Sequence, residues 1–246
     1  MSAALLLALA AVMTATAFLS GIFGMAGGLI LMGVLLVLLP VPEAMALHAV
    51  TQMASNGSRG LLWIRHVRWR AAGAFLAGCA IAFAAWTYWR YVPPKPLAFL
   101  LLGVSPFLVR LIPVRLKPDP ENVVHGCLYG SACMMLMMLA GVSGPLVDSY
   151  FLSGRLERRE IVATKAFCQL FGHAAKFVYF GGLVDQAASL DVVAAGLAVI
   201  ASVAGTTLAK PVLERLTDAQ YRRLAGHIIT TIAVAYLGYG SYLLVW

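Results

Sequence analysis

Charge is what this chain has least of. Only 11% of its 246 residues are Asp, Glu, Lys or Arg, while 61% are hydrophobic, and the mean hydropathy is +0.87. Soluble domains carry roughly a quarter charged residues, so this scarcity excludes an ordinary soluble domain and points to an integral membrane protein. The acids are the scarcer sign, with 10 Asp and Glu against 18 Lys and Arg, for a net charge of +8. The bases sit in short connections between apolar runs, the positive-inside pattern, and this removes the nucleic-acid reading. Cysteine is also sparse. Cys79, Cys127, Cys133 and Cys168 all fall inside apolar runs and make no C-x-x-C pair. They read as small packing residues, neither a disulfide framework nor a metal site. Gly24, Gly27 and Gly28 are not followed by Lys-Ser or Lys-Thr, which excludes a nucleotide-binding P-loop. No nucleophile-base arrangement or metal-ligand spacing is present, so neither an enzyme nor a cofactor is expected.

What the chain has in quantity is apolar sequence, in ten runs: roughly 3–20, 28–39, 44–64, 71–89, 96–112, 122–140, 145–154, 161–181, 190–209 and 224–245. Eight are long enough to cross a ~30 Å hydrocarbon core, which takes about 20 helical residues. Runs 28–39 and 145–154 are too short, and each follows a glycine break: Gly21-Ile22-Phe23-Gly24-Met25-Ala26-Gly27-Gly28 and Gly141-Val142-Ser143-Gly144-Pro145. The order long, break, short, long, long, long therefore occurs twice. Residues 1–112 form the first repeat, 113–121 a Pro-rich linker and 122–246 the second. Residues 1–20 resemble a signal peptide, with Ala15-Thr16-Ala17 as a cleavage-like site, but lack a basic leading region. A retained first span is expected.

Loop charge indicates the relative orientation of the repeats. Arg65, Arg68 and Arg70 follow the third run of the first half, whereas Asp185 stands at the matching place in the second. Glu43 follows the first short run, whereas Arg155, Arg158 and Arg159 follow the second. A third comparison, Arg90 and Lys95 against Lys210, Arg215, Arg222 and Arg223, differs only in degree. Basic loops face the cytoplasm, so the halves are expected to be inverted, with five crossings each and both termini outside. Were the short runs re-entrant, the basic clusters would not all be cytoplasmic.

A helix broken in lipid exposes backbone groups that only protein or a wet cavity can satisfy. Each short helix would also start with free N–H groups and a positive dipole end, an anion-binding arrangement. The candidate ligand groups at the breaks are Gly24, Gly27, Gly28, Ser143 and Gly144; tight helix packing is the alternative use of such glycines. The helix after the first short run carries His48, Thr51, Gln52, Asn56 and Arg59. The helix after the second carries Thr164, Lys165, Gln169, His173 and Lys176. At helical spacing these form polar stripes, and all their charged members are basic, which favours an anionic substrate. Against this, Arg59 and Lys165 could snorkel from one membrane face and Lys176 from the other. His48, His173 and Asp148 are candidates for coupling or gating. Met134, Met135, Met137 and Met138 read as soft packing, and Trp63, Trp69, Trp86, Trp89 and Trp246 as an aromatic belt.

Gly24-Met25-Ala26-Gly27-Gly28-Leu29 with Ala46 to Thr51 resembles the first signature of the TauE/SafE sulfite exporter family. Gly141-Val142-Ser143-Gly144-Pro145-Leu146, Tyr150-Phe151-Leu152, Ala163-Thr164 and Gly181 to Asp185 resemble the second. The likeness runs over nearly the whole chain. It departs at Met25-Ala26, a stretch often richer in glycine, and at Gln52, where a small hydroxyl is commoner. The resemblance implies a multi-pass bacterial inner-membrane transporter of sulfite or a related sulfur-containing or organic anion, with the signature glycines, Thr51 and Thr164 in its site.

The expectation is therefore an all-α membrane protein of two inverted repeats, with eight long transmembrane helices and two short half-helices. An anion would be held at the paired half-helix N-termini and moved by alternating access. The partners expected are the small anion and the bilayer, with no nucleic acid and with a homodimer left open. The competing readings are a membrane-embedded metal- or His-dependent enzyme, built on His48, His173 and Asp148, and a metal-ion permease.

Overall fold

A computed structural model describes residues 2–23, 25–112, 118–153, 156–184, 186–213, 215 and 217–246. The expected ligand Gly24, the linker residues 113–117, and Arg155 and Asp185 lie outside the described residues. The described chain is all helical. Its order is α1 (Ala3–Phe23), α2 (Met25–Leu38), α3 (Val41–Leu62), a 3-10 turn (Ile64–His66), α4 (Trp69–Trp89), α5 (Lys95–Arg110), α6 (Val123–Ala140) and α7 (Gly144–Leu152). It continues with α8 (Arg158–Val178), a π turn (Tyr179–Leu183), α9 (Val192–Leu213) and α10 (Asp218–Val245).

Local chemistry sets these boundaries. Pro40 is extended between α2 and α3, and Pro42 sits in the first turn of α3, where no N–H is missed. Asn122 caps α6 by accepting from the N–H groups of Val124 and His125. Glu157 and Glu160 form a reciprocal capping box at the start of α8. Gly141 ends α6 in the left-handed region at φ 79°, a conformation that favours glycine.

Five helices are long and apolar enough to cross a membrane by length and composition: α1, α4, α6, residues 192–209 of α9 and residues 223–245 of α10. This is a multi-pass membrane protein. At 1.5 Å per residue, the 14 residues of α2 and the 9 of α7 reach only ~21 and ~14 Å, short of a bilayer core. The long helices α3 and α8 fall outside the apolar set because of their polar stripes, and those stripes face each other in the interior.

The most extensive helix pairs are α1 with α9, α4 with α6, α3 with α8 and α5 with α10. Exchanging α1–α5 for α6–α10 turns the first pair into the second and leaves the other two unchanged. Small residues make the approach of α4 and α6 close. A Cβ on Gly78 would stand 2.0 Å from the carbonyl oxygen of Cys127, and one on Gly130 would stand 1.9 Å from that of Phe75. Cys79 and Ser131 add side-chain hydrogen bonds to Gly130 O and Gly78 O across the same seam.

The four cysteines are free thiols, three of them buried. Met134, Met137 and Met138 are buried in the core. The tryptophans divide: Trp63, Trp69, Trp89 and Trp246 are exposed, but Trp86 is buried against Tyr91 and Tyr179. Trp86 is thus a packing residue and not part of a belt.

Candidate functional site: a polar cavity between the two glycine breaks

Helices α3 and α8 run antiparallel. Gly60 lies beside Phe167, Gly57 beside Leu170, and His48 beside Lys176. Their stripes therefore form a ladder, with Arg59 and Lys165 at the end that carries the basic loops and His48 and His173 at the other. Along α3 the ladder spans 11 residues, about 16 Å at the helical rise.

This ladder lines a small cavity of about 30 Å³, room for roughly two waters at ~10–15 Å³ each. Helix α2 contributes Met25, Gly28 and Leu29; α3 contributes His48, Gln52 and Arg59; α8 contributes Lys165, Gln169 and His173. The second break closes it with Val142, Ser143, Gly144 and Pro145.

Ser143 occupies the N-cap position of α7 without capping it. An N-cap serine ordinarily accepts from an N–H in the first turn. Here the side chain makes no such bond, and its Oγ, in a residue 2% exposed, has no partner. The N–H of Gly144, first in the helix, has no preceding turn to supply a carbonyl. His173 Nδ1 is likewise buried and unpartnered. The cavity thus holds open donors at a positive helix end.

Arg59 is held by its own helix. It donates to Ser55 O at 3.3 Å, to Ser55 Oγ at 3.4 Å and to Asn56 Oδ1 at 3.0 Å. Asn56 in turn donates to Gln52 O at 2.9 Å, so it sets the guanidinium and does not line the cavity. Lys165 pairs with Asp148 of α7. Asp148 faces a second, open cavity of about 470 Å³, which shares Met25 and Pro145 with the first and reaches Arg110, Ser153 and Ile229.

Several expected ligands lie elsewhere. Thr51 spends its hydroxyl on Leu47 O at 2.9 Å, and its carbonyl accepts from Ser202 of α9. The Thr164 hydroxyl accepts from the backbone N–H of Arg68 at 3.0 Å, tying the loop before α4 to α8. Arg68 also pairs with Glu121 and Glu160, and the Glu121 carboxylate, followed by the charge of Glu160, pushes its guanidinium above the ordinary value. Gly27 packs on α1, where a Cβ would stand 1.9 Å from Thr16 O. Gly28 does reach the site, but through its carbonyl, which accepts from His48 Nε2 at 2.9 Å. The first break therefore offers an acceptor where a donor was expected.

His48 and His173 lie close, with ring centroids 5.6 Å apart. Asp148 is bound to Lys165, two turns along α8 from His173, so the three do not form one cluster. Among the described residues, no three His, Cys, Asp or Glu side chains are placed to hold a metal ion.

The residue whose part the sequence least reveals is Lys176. Placed near the end of its helix, it reads equally as a snorkelling lysine, yet it is fully buried. Its Nζ lies 2.9 Å from His48 Nδ1 and donates to Gly141 O at 2.8 Å. The only signal for it was its place on the α8 stripe, one turn past His173.

A bundle of apolar helices, interrupted twice beside a buried polar ladder, belongs to the class of helical membrane transporters. Residues 8–236 match the sulfite exporter TauE/SafE family, and the chain is a member of it. Comparisons with curated proteins and with solved structures returned no match.

Proposed function

We propose that this protein moves sulfite, or a small sulfur-containing anion of like shape, across the bacterial inner membrane by alternating access. The anion is held by Ser143 Oγ, the Gly144 N–H that opens α7, Arg59, Lys165, Gln52 and Gln169; Pro145 has no N–H, and those of Leu146 and Val147 are spent on Ser143 O. The observation that carries this reading is the unpartnered Ser143 hydroxyl at the start of α7, in a cavity lined by two cations and two primary amides. A buried hydroxyl without a partner costs about 1–3 kcal/mol, so a site that keeps one is a site for something that supplies the bond. Membership of a sulfite exporter family supports a sulfur oxyanion as that ligand.

Eight long helices cross the bilayer, and α2 and α7 are half-helices within it, in two inverted repeats joined by residues 113–121. The exchange symmetry of the helix pairs supports a two-fold relation, and the reversal of loop charge between the halves supports inversion. The basic end then faces the cytoplasm, and the open cavity beside Asp148 is the approach from that side. The Lys165–Asp148 pair stands between approach and site, so an arriving anion competes with Asp148 for Lys165.

Arg59→Ala and Lys165→Ala test the site. Each should lower uptake of radiolabelled sulfite into inside-out vesicles by at least ~10-fold, since one charge-assisted contact is worth about 1.5–3 kcal/mol. Wild-type uptake by both folded variants would remove the two cations from the site. Thermal stabilisation by sulfite, thiosulfate, sulfate and small organosulfonates would rank the anions.

A further inference from the structure

Beyond the His48 and His173 end of the cavity lies a buried lysine that the anion site does not use. Lys176 is 0% exposed and donates to Gly141 O at 2.8 Å; its Nζ lies 2.9 Å from His48 Nδ1, and His48 Nε2 lies 2.9 Å from Gly28 O. One assignment satisfies every group: the lysine amine donates twice, and His48, protonated on Nε2, accepts at Nδ1 and donates to Gly28 O. The chain Gly141–Lys176–His48–Gly28 thus spans from one glycine break to the other. Lys176 also lies at the carbonyl end of α6, whereas the anion cavity lies at the N–H end of α7. The second break presents its negative dipole end to the lysine and its positive end to the anion.

Among the described residues, no acid pairs with Lys176 or His48. From α3 the titratable group facing Lys176 is His48, and on α8 itself it is His173, 5.6 Å from His48 between ring centroids. From α6 it meets the Gly141 carbonyl. Asp148 of α7 is engaged by Lys165, 11 residues from Lys176 and about 16 Å along the helix. Cys79 of α4 and Cys133 of α6 line, with Cys168, a narrow crevice that meets the anion cavity at Ser143 and Gln169, and Cys79 donates to Gly130 O. Tyr179 of the π turn donates to Tyr91 O, and Arg65 and His66 of the 3-10 turn belong to the opposite, basic end. A lone buried ammonium is costly without a partner charge, and an anion in the adjoining cavity is the charge that would balance it.

We propose that Lys176 and His48 hold a transported proton, carried in the same direction as the anion, in a clamp that joins the two glycine breaks. The inference rests on the anion-transport reading of the cavity. The direction follows from linkage. An anion beside His48 favours the protonated pair, and the protonated pair favours the anion by the same factor, so the two are bound and released together. Charge-assisted bonds are roughly twice as strong as neutral ones, so the clamp holds the breaks while protonated and loosens when the proton leaves.

The test uses purified protein in proteoliposomes loaded with radiolabelled sulfite and a lumenal pH dye, with the membrane potential clamped by potassium and valinomycin. On dilution into sulfite-free buffer, wild-type vesicles should lose label and become alkaline inside, a proton leaving with each anion. In Lys176→Gln the ratio of proton flux to sulfite exchange, measured in the same vesicles, should fall at least ~10-fold, within the usual range of site–site coupling. His48→Gln should shift it the same way. Size-exclusion profiles establish that each variant is folded, and if Lys176→Gln aggregates, the ratio in His48→Gln decides. Wild-type sulfite efflux without a lumenal pH change overturns the proposal. So does a pH change that survives both substitutions, because the proton then travels on bisulfite. Absence of sulfite movement in the wild type would instead defeat the transport reading, and this inference with it.

Discussion

The two glycine breaks occupy matching places in the two halves, yet they are built for different work. At the first, the chain folds back so that Gly27 of α2 packs on Thr16 and Ser20 of α1, closer than any side chain allows. The group it turns to the cavity is a carbonyl, Gly28 O, already bonded to His48. At the second, Gly141 ends α6 at φ 79°, and Ser143 starts α7 with its hydroxyl unspent. The first break is a seam with one acceptor showing, and the second is an open donor site. Symmetric layout therefore does not imply symmetric ligation. An anion is expected to lean on α7, with α2 serving as the wall against which it is held.

The largest effect is expected at the seam. Gly27→Ala would place a methyl 1.9 Å from Thr16 O and 2.6 Å from Ser20 N, both backbone atoms that yield only if α1 and α2 separate. Overpacking of this kind costs up to about 3 kcal/mol and occasionally more. The variant should lose most of its monodisperse peak in detergent and melt well below the wild type. A variant with native melting would show that the first break is looser than its packing indicates.

Much of this difference lay beyond what the sequence could reveal, for identifiable reasons. The runs and breaks were legible because apolar length and glycine position are one-dimensional: run 3–20 became α1 (Ala3–Phe23), and 145–154 became α7 (Gly144–Leu152). The stripes were legible too, since helical spacing puts Gln52 and Arg59 on one side of α3 and Lys165 and Gln169 on one side of α8; that these sides meet at one cavity is the fold's contribution. What a hydroxyl or amine bonds to is set in three dimensions. Thr51 and Thr164 stand in signature positions but are consumed by Leu47 O and by the backbone N–H of Arg68. Lys176 looks like a snorkelling residue until the end of α6 is seen to lie against it. Gly27 and Gly28 are adjacent and alike in sequence, and only the neighbouring helices tell the seam from the site.

At the second break a smaller change should separate function from fold. Ser143→Ala removes a hydroxyl that has no partner in the protein, so stability should hold or rise slightly, an orphan of this kind costing about 1–3 kcal/mol. The same substitution deletes a donor to the anion, worth about 1.5–3 kcal/mol when the acceptor is charged, so the Kd for sulfite should rise at least ~10-fold. Opposite signs in melting temperature and in affinity are the expected pattern. Unchanged sulfite stabilisation would mean that α7 does not hold the anion by this residue.

The smallest effect is expected one residue from the largest. The atoms nearest a Cβ on Gly28 would be the amide end of Gln52, 3.3 Å away at Nε2, and a flexible side chain can yield by a few tenths of an ångström. Alanine also gains up to about 1 kcal/mol of helix propensity over glycine, so Gly28→Ala should fold at least as well as the wild type. Its consequence should appear in the cavity, where a displaced Gln52 amide keeps its charge-assisted bond to the anion in weakened form; losing about half of a bond worth about 1.5–3 kcal/mol gives roughly a three- to ten-fold loss in sulfite affinity. Paired with Gly27→Ala in the same melting and binding assays, it isolates the line between seam and site. If Gly28→Ala unfolds the protein as Gly27→Ala should, the first break is packing throughout and α2 is no wall for the anion. If it folds and binds sulfite weakly, the wall begins at Gly28.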